Sequence, residues 1–310
     1  MNYRNIGVYF LIFLFVTIIL AFQNITQKPV LLLSKTEIKL ENTAIWEKLS
    51  SEEKPFKELE HINQLKFFKI SYKSDDVVVN GLLIEPKQNG VYPVVIFNRG
   101  GNRDFAPLNL ETLINYTSRI AAEGFVIIGS NYRDKDEFGG KDLNDVLNLF
   151  DVLNEIPKAN SNCVGMFGWS RGGMMTYLSL ANSDRIKTAV VGNGPSNMLE
   201  IANARPVLET KVLAECIPNY YENKEAELKK RSSVFWPEKL CKSSSLLILS
   251  GLKDNRQNPE QAKVFAKKLD SLNYNYVLKE VETDHFFSDQ KPLLQTTLVN
   301  WFNEHLKPCE

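Results

Sequence analysis

From Phe67 onward the chain alternates short apolar segments with longer amphipathic ones. FFKISY and VVVNGLLIEP lead into VVIFN, a helical pattern through LETLINYTSRIAAE, the run FVIIGSN, a second helical pattern through LNDVLNLFDVL, and CVGMFG. The rhythm continues through MMTYLSLAN, TAVVG, SLLILSG, PEQAKVFAKKLDSL, NYVLKEV and LLQTTLVNWFNEHL. Strands separated by helices can run parallel in one sheet, because a parallel pair needs a crossover of a dozen residues or more. Runs such as VVIF and LLIL are apolar throughout rather than alternating, the pattern of strands covered on both faces. The expected architecture is α/β: a mostly parallel central sheet with helices on both faces. With 310 residues, 44% of them hydrophobic, the chain can bury one large core.

The periodicity breaks between Gly194 and Leu240. That segment is too long for a plain connection between strand and helix, so a helical cap insertion at about 194–240 is expected. Upstream, residues 24–65 are rich in Glu and Lys with scattered apolar positions and read as a helical connecting segment, which puts the catalytic body at 66–310. Residues 1–23 contain IGVYFLIFLFVTIILAF, seventeen residues from Ile6 to Phe22 without a charge. At about 1.5 Å per residue such a run just spans the roughly 30 Å of bilayer hydrocarbon. No small-residue cleavage pattern follows it cleanly, so it reads as an uncleaved N-terminal anchor, with a cleaved signal as the alternative. Arg4 on the cytoplasmic side would place the body outside the membrane, periplasmic or extracellular, or secreted if the segment is cleaved. Disulfides persist there, which leaves Cys216 and Cys241 open to pairing or to remaining free thiols.

Lys plus Arg and Asp plus Glu each number 37, so no net positive charge favours a nucleic-acid partner. Three histidines and four cysteines without a C-x-x-C pair supply no metal-ligand spacing, and neither a metal nor a cofactor is expected.

The chemistry centres on Gly168-Trp169-Ser170-Arg171-Gly172, which lies directly after an apolar strand and directly before a helical stretch. In that context G-x-S-x-G is a nucleophile elbow: the chain turns sharply and holds the serine Oγ clear of the backbone. A serine hydroxyl needs a base to take its proton. His61 falls in the charged connecting segment and His305 in the last helix, whereas His285 follows a strand, in Thr283-Asp284-His285-Phe286. Open α/β sheets place their sites at that end of the strands. The acid that orients the base should lie between serine and histidine in the chain. Asp254, just past SLLILSG, fits better than Asp284, which adjoins His285 too closely to reach the far side of the ring. Oxyanion donors are expected from the backbone of Arg171 and from Gly100 and Gly101 in FNRGGNRDF. Arg99 and Arg103 are candidates for binding a substrate carboxylate, with plain solvation as the alternative. Trp169, Tyr220, Tyr221 and Phe235 are candidate pocket residues, although core packing is the commoner role for aromatics.

With these residues in place, the chain from about Phe67 resembles the catalytic domain of the prolyl oligopeptidase family and its dienelactone-hydrolase-like relatives, which have the α/β-hydrolase fold. Asn131-Tyr132-Arg133 and the following GGKDLNDV resemble the family's N-Y-R and G-G-x-D-x-x-D-V segments. GWSRGG, GLKDNR and TDH resemble its nucleophile, acid and histidine motifs. The resemblance implies a triad of Ser170, Asp254 and His285, in agreement with the reading from the residues themselves. The oxyanion loop departs from the family's usual H-G-G-P or Y-G-G, having Arg99 before the glycines and Asn102 after them, so a tyrosine donor there is lost. The β-propeller that family peptidases carry before the hydrolase is not expected here, and peptidase specificity does not follow from the resemblance. The function expected is a serine hydrolase acting through an acyl-enzyme on a small ester or a short peptide. The alternative is a catalytically silent hydrolase fold that serves as a binding module outside the membrane.

Overall fold

A computed structural model describes residues 30–103 and 105–307. The apolar run 6–22 lies outside the described residues, among which no helix is long and apolar enough to cross a membrane.

Nine strands form one sheet. In chain order they are β1 (Leu32–Ile38), β2 (Leu65–Ser74), β3 (Val77–Pro86), β4 (Tyr92–Asn98), β5 (Val126–Ser130), β6 (Ala159–Trp169), β7 (Ile186–Gly192), β8 (Ser245–Gly251) and β9 (Tyr276–Val281). Their order across the sheet is β1-β2-β3-β5-β4-β6-β7-β8-β9. Strands β1 to β3 pair antiparallel, as β3 does with β5, and all pairs from β5 through β9 are parallel. This is the mostly parallel sheet expected from the alternation, in the α/β-hydrolase arrangement that the resemblance implies.

Period-two geometry sends successive strand side chains to opposite faces, and the core divides accordingly. Val94, Ile96 and Met166 join one apolar cluster, while their neighbours Val95, Phe97 and Phe167 join the other. Helices α2 (Asp142–Leu147), α3 (Arg171–Asn182) and α6 (Glu260–Ser271) cover the first face through residues such as Val146, Met175 and Phe265. Helices α1 (Leu110–Ala122) and α7 (Lys291–His305) cover the second through Leu113, Ile120, Leu298 and Phe302. Both faces are therefore dry, which is why the central strands carry no alternating polar residues. Each fully buried side chain of this size stabilises the fold by roughly 1.5–3 kcal/mol.

The segment before the body is not the helical connector that its composition suggests. Leu32–Ile38 is an edge strand paired with β2 from Leu32↔Tyr72 to Ile38↔Phe67, and the compact unit begins at Leu31. Its partly buried residues, Leu32, Lys35 and Ile38, fall three apart because the strand is largely exposed and its register slips between Leu32 and Ser34. That spacing imitates a helix. The Glu155 carboxylate accepts the N–H groups of Leu31 and Leu32 and fixes the start of the strand. Beyond it come short helical stretches, Leu40–Asn42, Trp46–Leu49 and Lys57–Gln64, and a small antiparallel ladder of Ser50–Ser51 with Lys54–Pro55.

Between β7 and β8 the chain forms helices α4 (Met198–Ala204) and α5 (Tyr220–Lys230), with shorter helical turns around them. Asn197 caps α4, its side-chain oxygen accepting the N–H groups of Leu199 and Glu200. Cys216, in this insertion, is buried, Cys241 is half-buried, and the two are not joined.

Candidate active site

The parallel strands deliver their loops to one edge of the sheet. Gly100 and Gly101 follow β4, Ser170 follows β6, Asn193 follows β7, Asp254 follows β8 and His285 follows β9. Ser170 has φ 54° and ψ −125°, a strained conformation for a residue with a side chain, and the bonds Ser170 N–H to Gly192 O and Gly173 N–H to Ser170 O hold it there. The flanking glycines make the turn possible. A Cβ on Gly168 would stand 2.0 Å from the Gly172 carbonyl, and one on Gly172 would stand 1.9 Å from that of Asn98.

His285 Nδ1 lies 2.6 Å from Asp254 Oδ2, with both side chains almost wholly buried. The other Asp254 oxygen accepts the N–H groups of Arg256 and Gln257, so the carboxylate cannot swing away from the ring. Asp284 is excluded from that position by its own bonds, accepting the N–H groups of Phe286 and Ser288. The His285 carbonyl accepts Trp169 Nε1–H at 3.1 Å and Asn193 Nδ2–H at 2.9 Å. Ser170 and His285 line one cavity of about 90 Å³. Among the described residues no hydrogen bond joins the Ser170 hydroxyl to the ring; in resting hydrolases that contact often tightens only on substrate binding.

Gly100 packs directly on the nucleophile: a Cβ on it would stand 3.4 Å from that of Ser170. Gly101, with φ 69°, turns the loop away, and the Asn102–Phe105 pair closes it into a short hairpin. The N–H of Arg171 opens α3, where no preceding turn supplies an acceptor.

The Arg171 side chain has a role that sequence reasoning missed. Its guanidinium is buried, donating to both oxygens of Asp136 at 2.6 and 2.7 Å, to Asp142 at 2.6 Å, and to the Gly101 carbonyl at 3.2 Å. It also stacks on Tyr132 and Phe138. Burial pushes the Asp136 pKa up, but the Arg171 charge and bonds, with the N–H groups of Arg103 and Phe138, outweigh it and hold it below the ordinary value. Asp142 belongs to the GGKDLNDV segment, which was the available signal.

Two expected substrate contacts are corrected. Arg99 is buried and donates to the carbonyls of Asn131, Gly100, Ala106 and Arg103, so it braces the loop and does not face a ligand. Trp169 is buried among Tyr116, Phe167 and Phe287 and reaches the site only through its bond to the His285 carbonyl. Arg103 is paired with Glu215. Tyr220 is buried, Tyr221 is exposed, and Phe235 borders a separate groove, so none of the three lines the Ser170 cavity. Its wall comes instead from Phe105, Phe138, Pro195, Met198, Ile201 and Leu208, with Arg205 and Arg256.

The profile of the prolyl oligopeptidase family matches residues 122–309, which hold the elbow, Asp254 and His285. The chain belongs to the prolyl oligopeptidase family. It is a serine hydrolase of that family. It is 25% identical over 229 residues to the uncharacterized peptidase YtmA of Bacillus subtilis strain 168, covering 72% of this chain and 84% of that one. The acylaminoacyl peptidase of Pyrococcus horikoshii superposes with a TM-score of 0.67 at 23% identity, over 79% of this chain and 42% of that one. A Klebsiella pneumoniae protein provisionally assigned as a dienelactone hydrolase superposes at 0.59 and 16% identity, over 77% of this chain and 98% of that one. This family member thus spans about two fifths of the Pyrococcus enzyme and nearly all of the Klebsiella protein.

Proposed function

We propose that this serine hydrolase cleaves a carboxylic ester or a short peptide through an acyl-enzyme on Ser170. The observation that carries the reading is the bond between His285 Nδ1 and Asp254 Oδ2 at 2.6 Å, beside a serine held at a strained elbow in the same cavity. Asp254 accepts a hydrogen bond from Nδ1–H and so leaves Nε2 free to act as base. The Ser170 Oγ attacks the substrate carbonyl carbon as its proton passes to Nε2, and the N–H groups of Arg171 and of the Gly100–Gly101 loop take the charge on the carbonyl oxygen. The imidazolium then donates its proton to the departing alcohol or amine. Water, deprotonated by the same ring, releases the acid and restores Ser170.

The test is turnover of 4-nitrophenyl esters and short peptide amides by wild type, Ser170→Ala and His285→Ala. Turnover lost in both variants supports the reading. A folded wild type inert towards every such substrate would leave the binding-module alternative. The charge-free run Ile6–Phe22 supports a further part of the proposal, a membrane-tethered enzyme with its body outside the cytoplasm. Release of the full chain from membranes by alkaline carbonate would overturn the tether.

A further inference from the structure

The loops of all three triad members meet at Asn193, the first residue past β7. It is 2% exposed and has φ 44°, a left-handed backbone that asparagine adopts more readily than most residues. The carbonyl just before it, that of Gly192, accepts the Ser170 N–H at 2.8 Å. The last ladder pair between β7 and β8 is Gly192↔Leu249, so the Gly251 N–H lies past the end of that ladder. Asn193 continues it: the backbone N–H donates to the Leu249 carbonyl at 2.9 Å, and the side-chain Oδ1 accepts the Gly251 N–H at 2.8 Å, three residues before Asp254. The Asn193 Nδ2–H donates to the His285 carbonyl at 2.9 Å, alongside Trp169 Nε1–H at 3.1 Å.

One amide therefore holds the acid loop with its oxygen and the base residue with its nitrogen. A backbone N–H only donates and a carbonyl only accepts, so these partners fix which way the amide faces. The packing around it is close, since a Cβ on Gly251 would stand 2.7 Å from the Asp284 carbonyl and 3.4 Å from Asn193 Nδ2. The acid and base loops also share a bond from Lys253 N–H to the Thr283 carbonyl at 2.9 Å, but it ends two residues short of His285. Asn193 is not part of the wall of the Ser170 cavity.

We propose that Asn193 is a positioning residue for the triad, holding the His285 backbone against the loop of Asp254 so that the contact between Nδ1 and Oδ2 forms with Nε2 turned towards Ser170. The proposal rests on the reading of Ser170 as the nucleophile.

The test is turnover of 4-nitrophenyl acetate by the full chain. Asn193→Gly suits the left-handed backbone and removes both side-chain bonds. A fall in kcat of about ten- to hundredfold is expected, the scale of a small misplacement of reacting groups, with KM changed by less than about twofold. In an Asp254→Asn background, where the ring has already lost its acceptor, the same substitution should lower kcat by less than about threefold further. A residue that only stabilised the fold would lower kcat by the same factor in both backgrounds. Asn193→Asp keeps the shape and the acceptor for Gly251 N–H and removes the donor to His285. At about pH 8, where a carboxyl is ordinarily ionised, it should show the same fall, and it carries the test if thermal melting shows the glycine variant unfolded. A kcat within about threefold of wild type in the folded variant, a change confined to KM, or a loss that multiplies in full with Asp254→Asn would overturn this proposal alone. Wild type inert on the ester, with no covalent labelling of Ser170, would instead overturn the hydrolase reading on which it rests.

Discussion

Replacing Arg171 by Met tests the link between the buried charges and the elbow. The side chains of Arg171, Asp136 and Asp142 are 3%, 1% and 0% exposed, so the substitution strands two carboxylates in the interior. Removing one partner of a buried ion pair costs about 3–5 kcal/mol. Two carboxylates are affected, but each keeps backbone donors: Arg103 and Phe138 N–H for Asp136, Gly139 and Gly140 N–H for Asp142. A loss of about 4 kcal/mol at pH 7 is expected, a large part of the roughly 5–15 kcal/mol that holds a typical domain together. Its pH dependence has a definite sign. In wild type the Asp136 pKa lies below the ordinary 3.8, so its contribution is present above that value and is lost as pH falls through the lower folded one. In the variant, burial acts without the compensating charge and the pKa rises. The stranded Asp136 carboxylate then takes up a proton as the solution is acidified, and the gap to wild type narrows. Urea denaturation followed by tryptophan fluorescence at pH 7 and at about pH 4.5 measures both effects. A cost under about 1 kcal/mol at pH 7, or one that grows on acidification, would show that Arg171 does not hold these carboxylates in place.

Asp254→Asn should leave the fold intact and lower kcat on an activated ester by about 10³–10⁴-fold, because the ring loses the acceptor that sets its tautomer; a loss under tenfold would count against Asp254 as the orienting acid. Gly172→Ala places a Cβ 1.9 Å from the Asn98 carbonyl, so α3 must shift. Melting should show a destabilisation of about 1–3 kcal/mol or more, together with loss of turnover, and an unchanged melting temperature would contradict the packing described. His61 donates to or accepts from the Ser118 hydroxyl, and burial, followed by the Arg119 charge, lowers its pKa to about 4 from an ordinary 6.5. The unfolded chain therefore binds more protons between those values, and stability falls as pH drops from about 6.5 to about 4. His61→Gln should flatten that part of the stability profile, and an unchanged profile would show that another group is responsible.

The parts of this molecule legible in its sequence are those in which local pattern and tertiary role coincide. Doubly covered strands are apolar throughout, and the elbow needs its glycines within two residues of the serine. The acid and base each follow a strand, so their positions could be read from chain order. The parts that were not legible depend on which way a side chain leaves a turn. Arg99 and Trp169 adjoin site residues in the chain, yet both point into the protein interior, where one spends its donors on loop carbonyls and the other braces the His285 carbonyl. Asn193 and the Arg171 side chain act through partners 92 and 35 residues away, a separation that periodicity does not register. The edge strand Leu32–Ile38 escaped for a different reason: its stabilisation comes from backbone pairing with β2, and its exposed side chains follow no strand pattern.

If the triad works as described, Ser170 is an activated nucleophile. Incubation of the full chain with a fluorophosphonate probe, followed by mass mapping of the adduct in wild type, Ser170→Ala and His285→Ala, tests it most directly. One adduct is expected, on Ser170, absent from the Ser170→Ala variant and formed far more slowly when His285 is replaced. No adduct on folded wild-type protein, or labelling of Ser170 at the same rate without His285, would contradict it.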